Sequence, residues 1–198
     1  MTRILLIRHA HTDLSGKVLY GRMPGIHLSE QGRQEAMKLA RALHDRYEIS
    51  QIVSSPMDRA RETAEEIAAL YRIQVEVDEE FEELDFGEWM GKSFTELMQD
   101  ERWKLYNRRR SLTGAPGGEF MLQVQIRAWN AIERLVGDTE RESTFAIITH
   151  GDVVRGLLML FLGMPIDHIH RLEVSTASLS EVILGRAFPQ VIRVNQTF

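Results

Sequence analysis

Ile4-Leu5-Leu6-Ile7-Arg8-His9-Ala10-His11-Thr12 decides how the rest of the chain is read. Four consecutive aliphatic residues, too few for a helix and running straight into Arg-His, predict a strand buried on both faces. Such a strand hands its last side chains to the carboxyl edge of a parallel sheet, where open α/β folds hold ligands. The same design returns at Phe145-Ala146-Ile147-Ile148, followed by Thr149-His150-Gly151-Asp152. Two strands of this kind would bring both imidazoles to one crevice.

The 198 residues suffice for one domain with a sizeable core, and a single domain over 1–198 is expected. A formal net charge of −5 argues against nucleic acid or an anionic membrane as a bulk partner. Cysteine is absent, which excludes disulfides, thiolate nucleophiles and cysteine metal sites. No apolar run approaches the roughly 20 residues of a membrane span. The amino terminus reads as a strand rather than a signal peptide, so a cytoplasmic location is expected.

Between the two histidine strands the pattern alternates. Asp13 to Leu28 is loop chemistry, with Tyr20-Gly21-Arg22-Met23-Pro24-Gly25 placed to form a substrate rim. Ser29 reads as an N-cap, and Ala36, Leu39, Ala40 and Leu43 mark a helix to about Tyr47. Gln51–Ser54 is a short strand, and Ser55-Pro56 opens a second helix through Tyr71. Gln74 to Val77 is a third strand. From Glu79 to about Phe120 the rhythm breaks. This stretch is acidic and aromatic, carries a capping box at Ser93–Glu96, and reads as a cap-like insertion over the active edge. Val124 to Leu135 restores a helix, the helix after Gly151 is apolar nearly all round, and Leu172–Ser175, Leu179–Leu184 and Val191–Val194 look like closing strands. The pattern predicts a three-layer α/β/α sandwich with a mostly parallel central sheet flanked by helices.

The motifs then become specific. Leu6-Ile7-Arg8-His9-Ala10-His11-Thr12 resembles the signature of the histidine phosphatase, or phosphoglycerate mutase-like, superfamily, with Ala10 where that family usually has Gly. Ser54 to Ala64 resembles its second motif, in which Arg59 would bind phosphate. Glu83-Leu84-Asp85-Phe86-Gly87-Glu88-Trp89 resembles the segment carrying its acid, which maps to Glu83. Thr149-His150-Gly151 resembles its second-histidine motif. The resemblance implies a phosphoglycerate mutase-like fold and phosphoryl chemistry without a metal or other cofactor. Ala10 should crowd the loop slightly without abolishing the site.

The residues support that chemistry in their own right. A neutral imidazole attacks phosphorus if one nitrogen is bare and the other holds its proton against a carbonyl, which is the role expected of His9. A transferring phosphoryl group spreads charge over its oxygens, so Arg8, Arg59 and His150 would supply positive charge, with N–H groups after Gly151 adding donors. Neighbouring cations would keep His9 neutral. Glu83 would act as general acid and then base, with Glu82 as its main rival. Gly21, Arg22 and Thr12 are further candidate substrate contacts. Arg22 either meets substrate or projects into solvent, and Thr12 either reaches the phosphate or braces its own loop. Arg108-Arg109-Arg110 reads as a solvated face, with a substrate clamp as the alternative. His168-Ile169-His170 reads as an exposed turn, and Phe86 and Trp89 as packing residues.

The expected activity is metal-independent hydrolysis of a small phosphomonoester. A phosphomutase of the same superfamily, a metal hydrolase built on His9-Ala10-His11, and a non-catalytic phospholigand-binding module are the competing readings. The apolar carboxyl-terminal strands offer an edge through which a homodimer could form.

Overall fold

The computed structural model describes residues 1–137, 142–185 and 188–198. Six strands, β1 (Thr2–Arg8), β2 (Gln51–Ser54), β3 (Val75–Val77), β4 (Ser143–Thr149), β5 (Leu179–Leu184) and β6 (Pro189–Gln196), form one sheet in spatial order β3-β2-β4-β1-β5-β6. The two histidine strands are neighbours. β1 and β4 run parallel, in register from Thr2 opposite Ser143 to Arg8 opposite Thr149. β2 and β3 continue the parallel half, whereas β5 pairs antiparallel with β1 and β6 with β5.

Among the described residues, six α-helices accompany the sheet: α1 (Glu30–His44), α2 (Asp58–Tyr71), α3 (Phe94–Leu97), α4 (Glu101–Arg108), α5 (Met121–Val136) and α6 (Gly151–Leu162). The period-2 alternation of β1 splits the core into two layers. Leu5 and Ile7 pack with Ala36, Leu39, Leu43 and Ile67 of α1 and α2. Ile4 and Leu6 face Val124, Ile132, Val153 and Leu157 of α5 and α6 on the other side. The result is a three-layer α/β/α sandwich with a mostly parallel sheet. Among the described residues no helix is long and apolar enough to cross a membrane.

Several boundaries differ from the sequence reading, each for a local reason. The second helix begins at Asp58 rather than at Ser55-Pro56. The Ser55 N–H is still bonded to the Ile148 carbonyl, so residues 55–57 remain the exit of a strand. Leu172–Ser175 is not a strand. The carbonyls of Leu172 and Val174 accept from Arg155 and Arg8 instead, which ties this segment to α6 and to the end of β1. β5 lies inside the sheet, and β6 stands at the edge beyond it. α4, capped by the Asp100 side chain, lies within the stretch read as an insertion and ends at Arg108, the first of the three arginines.

Residues 79–120 leave the sheet at β3 and form two 3₁₀ turns, α3, α4 and a loop. The segment closes on itself where Gly87 meets Pro116–Gly118: a Cβ at Gly87 would lie 2.1 Å from the Pro116 carbonyl oxygen, and one at Gly118 2.1 Å from that of Asp85. Backbone also meets backbone below the first histidine loop, where a Cβ at Gly32 of α1 would lie 2.0 Å from the His11 carbonyl oxygen. Gly32→Ala should therefore cost about 1–3 kcal/mol by overpacking. A lower urea midpoint together with a displaced His9 loop, read as weaker binding of inorganic phosphate, is the expected result.

Candidate active site

β1 and β4 end side by side, so His9 and His150 leave adjacent strand ends with ring centroids 5.2 Å apart. Both rings are buried, and both are fixed in tautomer by their partners. The His9 Nδ1–H donates to the Ala10 carbonyl at 2.8 Å, which leaves Nε2 bare. Into that lone pair points the Nε–H of Arg59, at 3.3 Å. Arg59 Nη2 donates to His150 Nδ1 at 3.1 Å and to the Gly21 carbonyl at 2.7 Å. A guanidinium only donates, so His150 carries its proton on Nε2 and gives it to Ser55 Oγ at 2.7 Å.

Arg59 is fully enclosed, its guanidinium 4.8 Å from the centre of the Tyr20 ring. Its Nη1 and the Nε of Arg8 are buried without a hydrogen-bond partner among the described residues, two donors on the two cations nearest the histidines. Arg8 is anchored by Nη1 to the Val174 carbonyl at 2.6 Å. Burial, then the charges of Arg59 and Arg8, hold the His9 pKa well below the ordinary imidazole value, and burial and Arg59 do the same for His150. Both are neutral at pH 7, in keeping with a bare Nε2 on His9.

Glu83 enters from the inserted segment and lines the same cavity as Arg8, His9, Gly21 and Gly151, a space of about 260 Å³. Burial and then the nearby Asp152 charge push its carboxyl up to about 7, against the opposing Leu84 N–H, Arg59 and Arg8. Its rival Glu82 turns to Arg22 at 3.0 Å and is not part of the cavity wall. A larger hollow, about 510 Å³, lies at the opposite end of β1 around Arg3 and Tyr47 and contains none of these groups.

The structure thus brings Arg8, His9, Arg59, Glu83 and His150 together, with Gly21 and Gly151 in the wall. It does not bring Thr12 or Arg22. Thr12 is buried and engages Ser15 through both its N–H and its hydroxyl, so it braces the loop. Arg22 is spent on Glu82, Glu119 and the Glu83 carbonyl, which makes it a support for the acid's backbone. His11 turns its ring to Ser29 at 2.8 Å, so His9 and His11 do not converge on one point. Ala10 causes no crowding: its methyl is buried in the α1/α2 layer, and its N–H donates to Thr63 Oγ1 at 3.0 Å.

The arginine run was misread in part. Arg110 is not solvated; it is buried against Tyr106, pairs with Asp152 at 2.8 Å, and lines the cavity. His170 also reaches the cavity, bonded to Asn107 at 3.0 Å, rather than standing in a turn apart from it. Phe86 packs as expected, yet it shares the cavity's apolar wall with Phe94 and Trp103. Ser55 and Arg155 were missed entirely. Ser55 carried a partial signal in its place between a strand and the Arg59 helix. Arg155 sits one helical turn beyond Gly151 on α6, a spacing that turns its side chain back toward the glycine.

The chain matches the histidine phosphatase superfamily (branch 1) over residues 4–197. It is 33% identical over 181 residues to a bifunctional protein of Mycobacterium tuberculosis, covering 90% of this chain and 49% of that one. The chain therefore spans about half the length of that relative. Phosphoserine phosphatase 1 of Hydrogenobacter thermophilus is 26% identical over 199 residues, covering 100% of this chain and 93% of that one. A solved structure of Entamoeba histolytica phosphoserine phosphatase with 3-phosphoglyceric acid superposes with a TM-score of 0.85 at 26% identity, covering 100% of this chain and 98% of that one. With a family match from residue 4 to residue 197, the chain belongs to the histidine phosphatase superfamily, branch 1.

Proposed function

We propose that this chain is a phosphomonoesterase that hydrolyses a small phosphorylated metabolite through a phosphohistidine on His9, with no metal in the reaction. The observation that carries this reading is the bare Nε2 of His9, whose Nδ1 proton is committed to the Ala10 carbonyl in a pocket of guanidinium groups. That is the state an imidazole needs in order to attack phosphorus. Relatives named as phosphatases of small phosphorylated compounds support the same reading.

The phosphoryl oxygens take the donors of Arg8 and Arg59, together with N–H groups at the start of α6, while His150, neutral and with its one proton given to Ser55, holds the Arg59 fork in place. Arg59 then exchanges its contact with His9 Nε2 for the oxygens, and the lone pair is released toward phosphorus. As the N–P bond forms, the bond from phosphorus to the leaving oxygen breaks and Glu83 gives that oxygen its proton. In the second half a water attacks phosphorus, Glu83 takes the water proton, and the N–P bond breaks to return neutral His9 and inorganic phosphate. Positioned charge supplies most of the stabilisation, since the transition state gathers negative charge on those oxygens. Thr63 supports the geometry by linking the Arg59 carbonyl to the Ala10 N–H. A phosphomutase would return the phosphoryl group to a second oxygen of the substrate. Free phosphate release that needs no bisphosphate primer favours hydrolysis over that alternative.

Four measurements test this reading. His9→Ala should abolish phosphate release from phosphomonoesters, and trapping with acid-labile radiolabel should find no phosphoenzyme. In the half-reaction that loads His9, the rate should fall as pH rises through about 7, where Glu83 loses the proton it must donate. On the acid side it should fall only well below pH 6.5, where His9 gains a proton. Glu83→Gln should lower kcat/KM, which reports the loading of His9, by about 10²–10⁴-fold on an alkyl phosphate and by much less on p-nitrophenyl phosphate, because that leaving group needs little protonation. Ser55→Ala, which strands the His150 Nε2–H in a buried site, should reduce kcat/KM about tenfold while circular dichroism stays unchanged.

A further inference from the structure

Asp152 is a buried carboxylate at a place where phosphoryl chemistry calls for positive charge. It lies in the first turn of α6, beside Gly151, and lines the cavity shared by Arg8, His9 and Glu83. The N–H groups of such a turn attract a phosphate, and a carboxylate among them repels one. Neither oxygen is free to act as a base. Oδ2 accepts from Arg110 Nη1 at 2.8 Å and Oδ1 from Arg155 Nη1 at 3.1 Å. Against burial, Arg110 and then Arg155 hold its pKa below the ordinary aspartate value, so it is ionised at pH 7.

The two arginines come from separate parts of the fold. Arg110, just past α4, is buried with its guanidinium 4.4 Å from the centre of the Tyr106 ring. Arg155 Nε donates to the Leu172 carbonyl at 3.0 Å, and among the described residues its Nη2 meets no acceptor. The Asp152 carboxylate is thereby fixed from two sides. Glu83 is tied differently. Arg22 and Arg127 donate to its backbone carbonyl, while its carboxyl accepts from the Leu84 N–H at 3.0 Å. Among the described residues no cation pairs with that carboxyl. The charges that bear on it are Asp152 from α6, Arg59 from α2, Arg8 from β1 and Arg110 from the insertion, beside the Tyr106 hydroxyl, which burial keeps neutral. Asp152 is the negative charge in that set. It acts with burial to raise the Glu83 pKa, which the Leu84 N–H, Arg59 and Arg8 oppose.

We propose that Asp152 is a positioning residue for proton transfer: its carboxylate, fixed between Arg110 and Arg155, keeps Glu83 in the acid form that protonates the leaving oxygen. This rests on the reading of Glu83 as the acid of the same site. Without Asp152, Glu83 would stand among guanidinium groups alone, and these favour its anion. Because Arg110 and Arg155 saturate both oxygens, the carboxylate supplies a fixed negative charge and takes no proton itself. Arg155 also offsets that charge next to the phosphoryl group. The Nη1 that holds Oδ1 lies 3.2 Å from a Cβ position at Gly151, and Arg8 Nε lies 3.4 Å from the same point.

The pH dependence of kcat/KM on an alkyl phosphate tests the proposal. In the unaltered protein it should fall as pH rises through about 7. Asp152→Asn should bring that fall about one pH unit lower, a loss of about tenfold at pH 8, while p-nitrophenyl phosphate loses less than about threefold. Arg110→Gln, which removes a cation and leaves Asp152 in place, should move the fall to higher pH. A carboxylate that merely pins the insertion to α6 would cost rate on both substrates alike and leave the fall where it was. Either of those results in folded Asp152→Asn overturns the proposal, as does a downward shift in Arg110→Gln. If no phosphomonoester releases phosphate, the phosphatase reading falls. Carbon-13 NMR of protein labelled at glutamate then decides the link between the two carboxyls alone, with Glu83 identified by its absence from Glu83→Gln. A midpoint about one unit lower in Asp152→Asn supports the link, and an equal midpoint overturns it. If Asp152→Asn does not fold, the same titration of Arg110→Gln decides: a higher midpoint supports the proposal and an unchanged one overturns it.

Discussion

A fully buried guanidinium holds the site together. Removing a charge of this kind from water costs on the order of several kcal/mol, and the fold accepts that cost at Arg59. What offsets it is partial: two imidazole nitrogens, the Gly21 carbonyl and the face of Tyr20. Among the described residues no carboxylate touches it, and Nη1 has no acceptor. A cation so placed is short of negative charge by construction, and a phosphoryl dianion would supply it. The same charge, together with burial, strips protons from both histidines, so the anion site and the nucleophile's protonation state have one origin.

Around that cation the backbone is tied with unusual economy. Thr63, one turn along α2, accepts from the Ala10 N–H and donates to the Arg59 carbonyl, so the His9 loop and the Arg59 helix move as one body. Ser55 holds His150 from the exit of the neighbouring strand. The acid needs a different solution, because it comes from irregular chain. Arg22 and Arg127 both donate to the Glu83 carbonyl, and both also hold Glu119 at the far end of the insertion. Arg127 further donates to the carbonyls of Glu80 and Glu82. Two partly buried arginine forks thus do for residues 80–83 what a sheet ladder does for a strand.

The same segment gives the cavity its asymmetry. Trp89, Trp103 and Tyr106 pack as an aromatic cluster that makes α4 a firm platform, with Trp89 donating to Asp100 at the helix cap. One side of that platform offers Trp103 to the cavity and its end delivers Arg110 to Asp152 on α6. The insertion is therefore joined to the sheet layer by an ion pair at the cavity wall, and the part of the pocket away from the phosphoryl site is made by residues from two separate stretches of chain.

The sequence by itself determined the elements whose signals are local. The β1 and β4 strands, the Ser29 and Ser93 caps, and the pairing of each strand end with a histidine follow from short-range pattern and burial. Four motifs in order carried the family and, with it, Arg59 and Glu83. Tertiary structure decided the rest, because nothing local distinguishes the outcomes. Nothing beside Arg22, Arg110 or Arg155 in the sequence names its partner, yet one supports a backbone, one is buried in an ion pair, and one keeps a free donor in the cavity. Leu172–Ser175 reads as a strand, but its carbonyls are claimed by arginines from elsewhere. A side chain's fate here depends on which carboxylate or carbonyl lies across the fold from it, and that distance is set only when the layers pack.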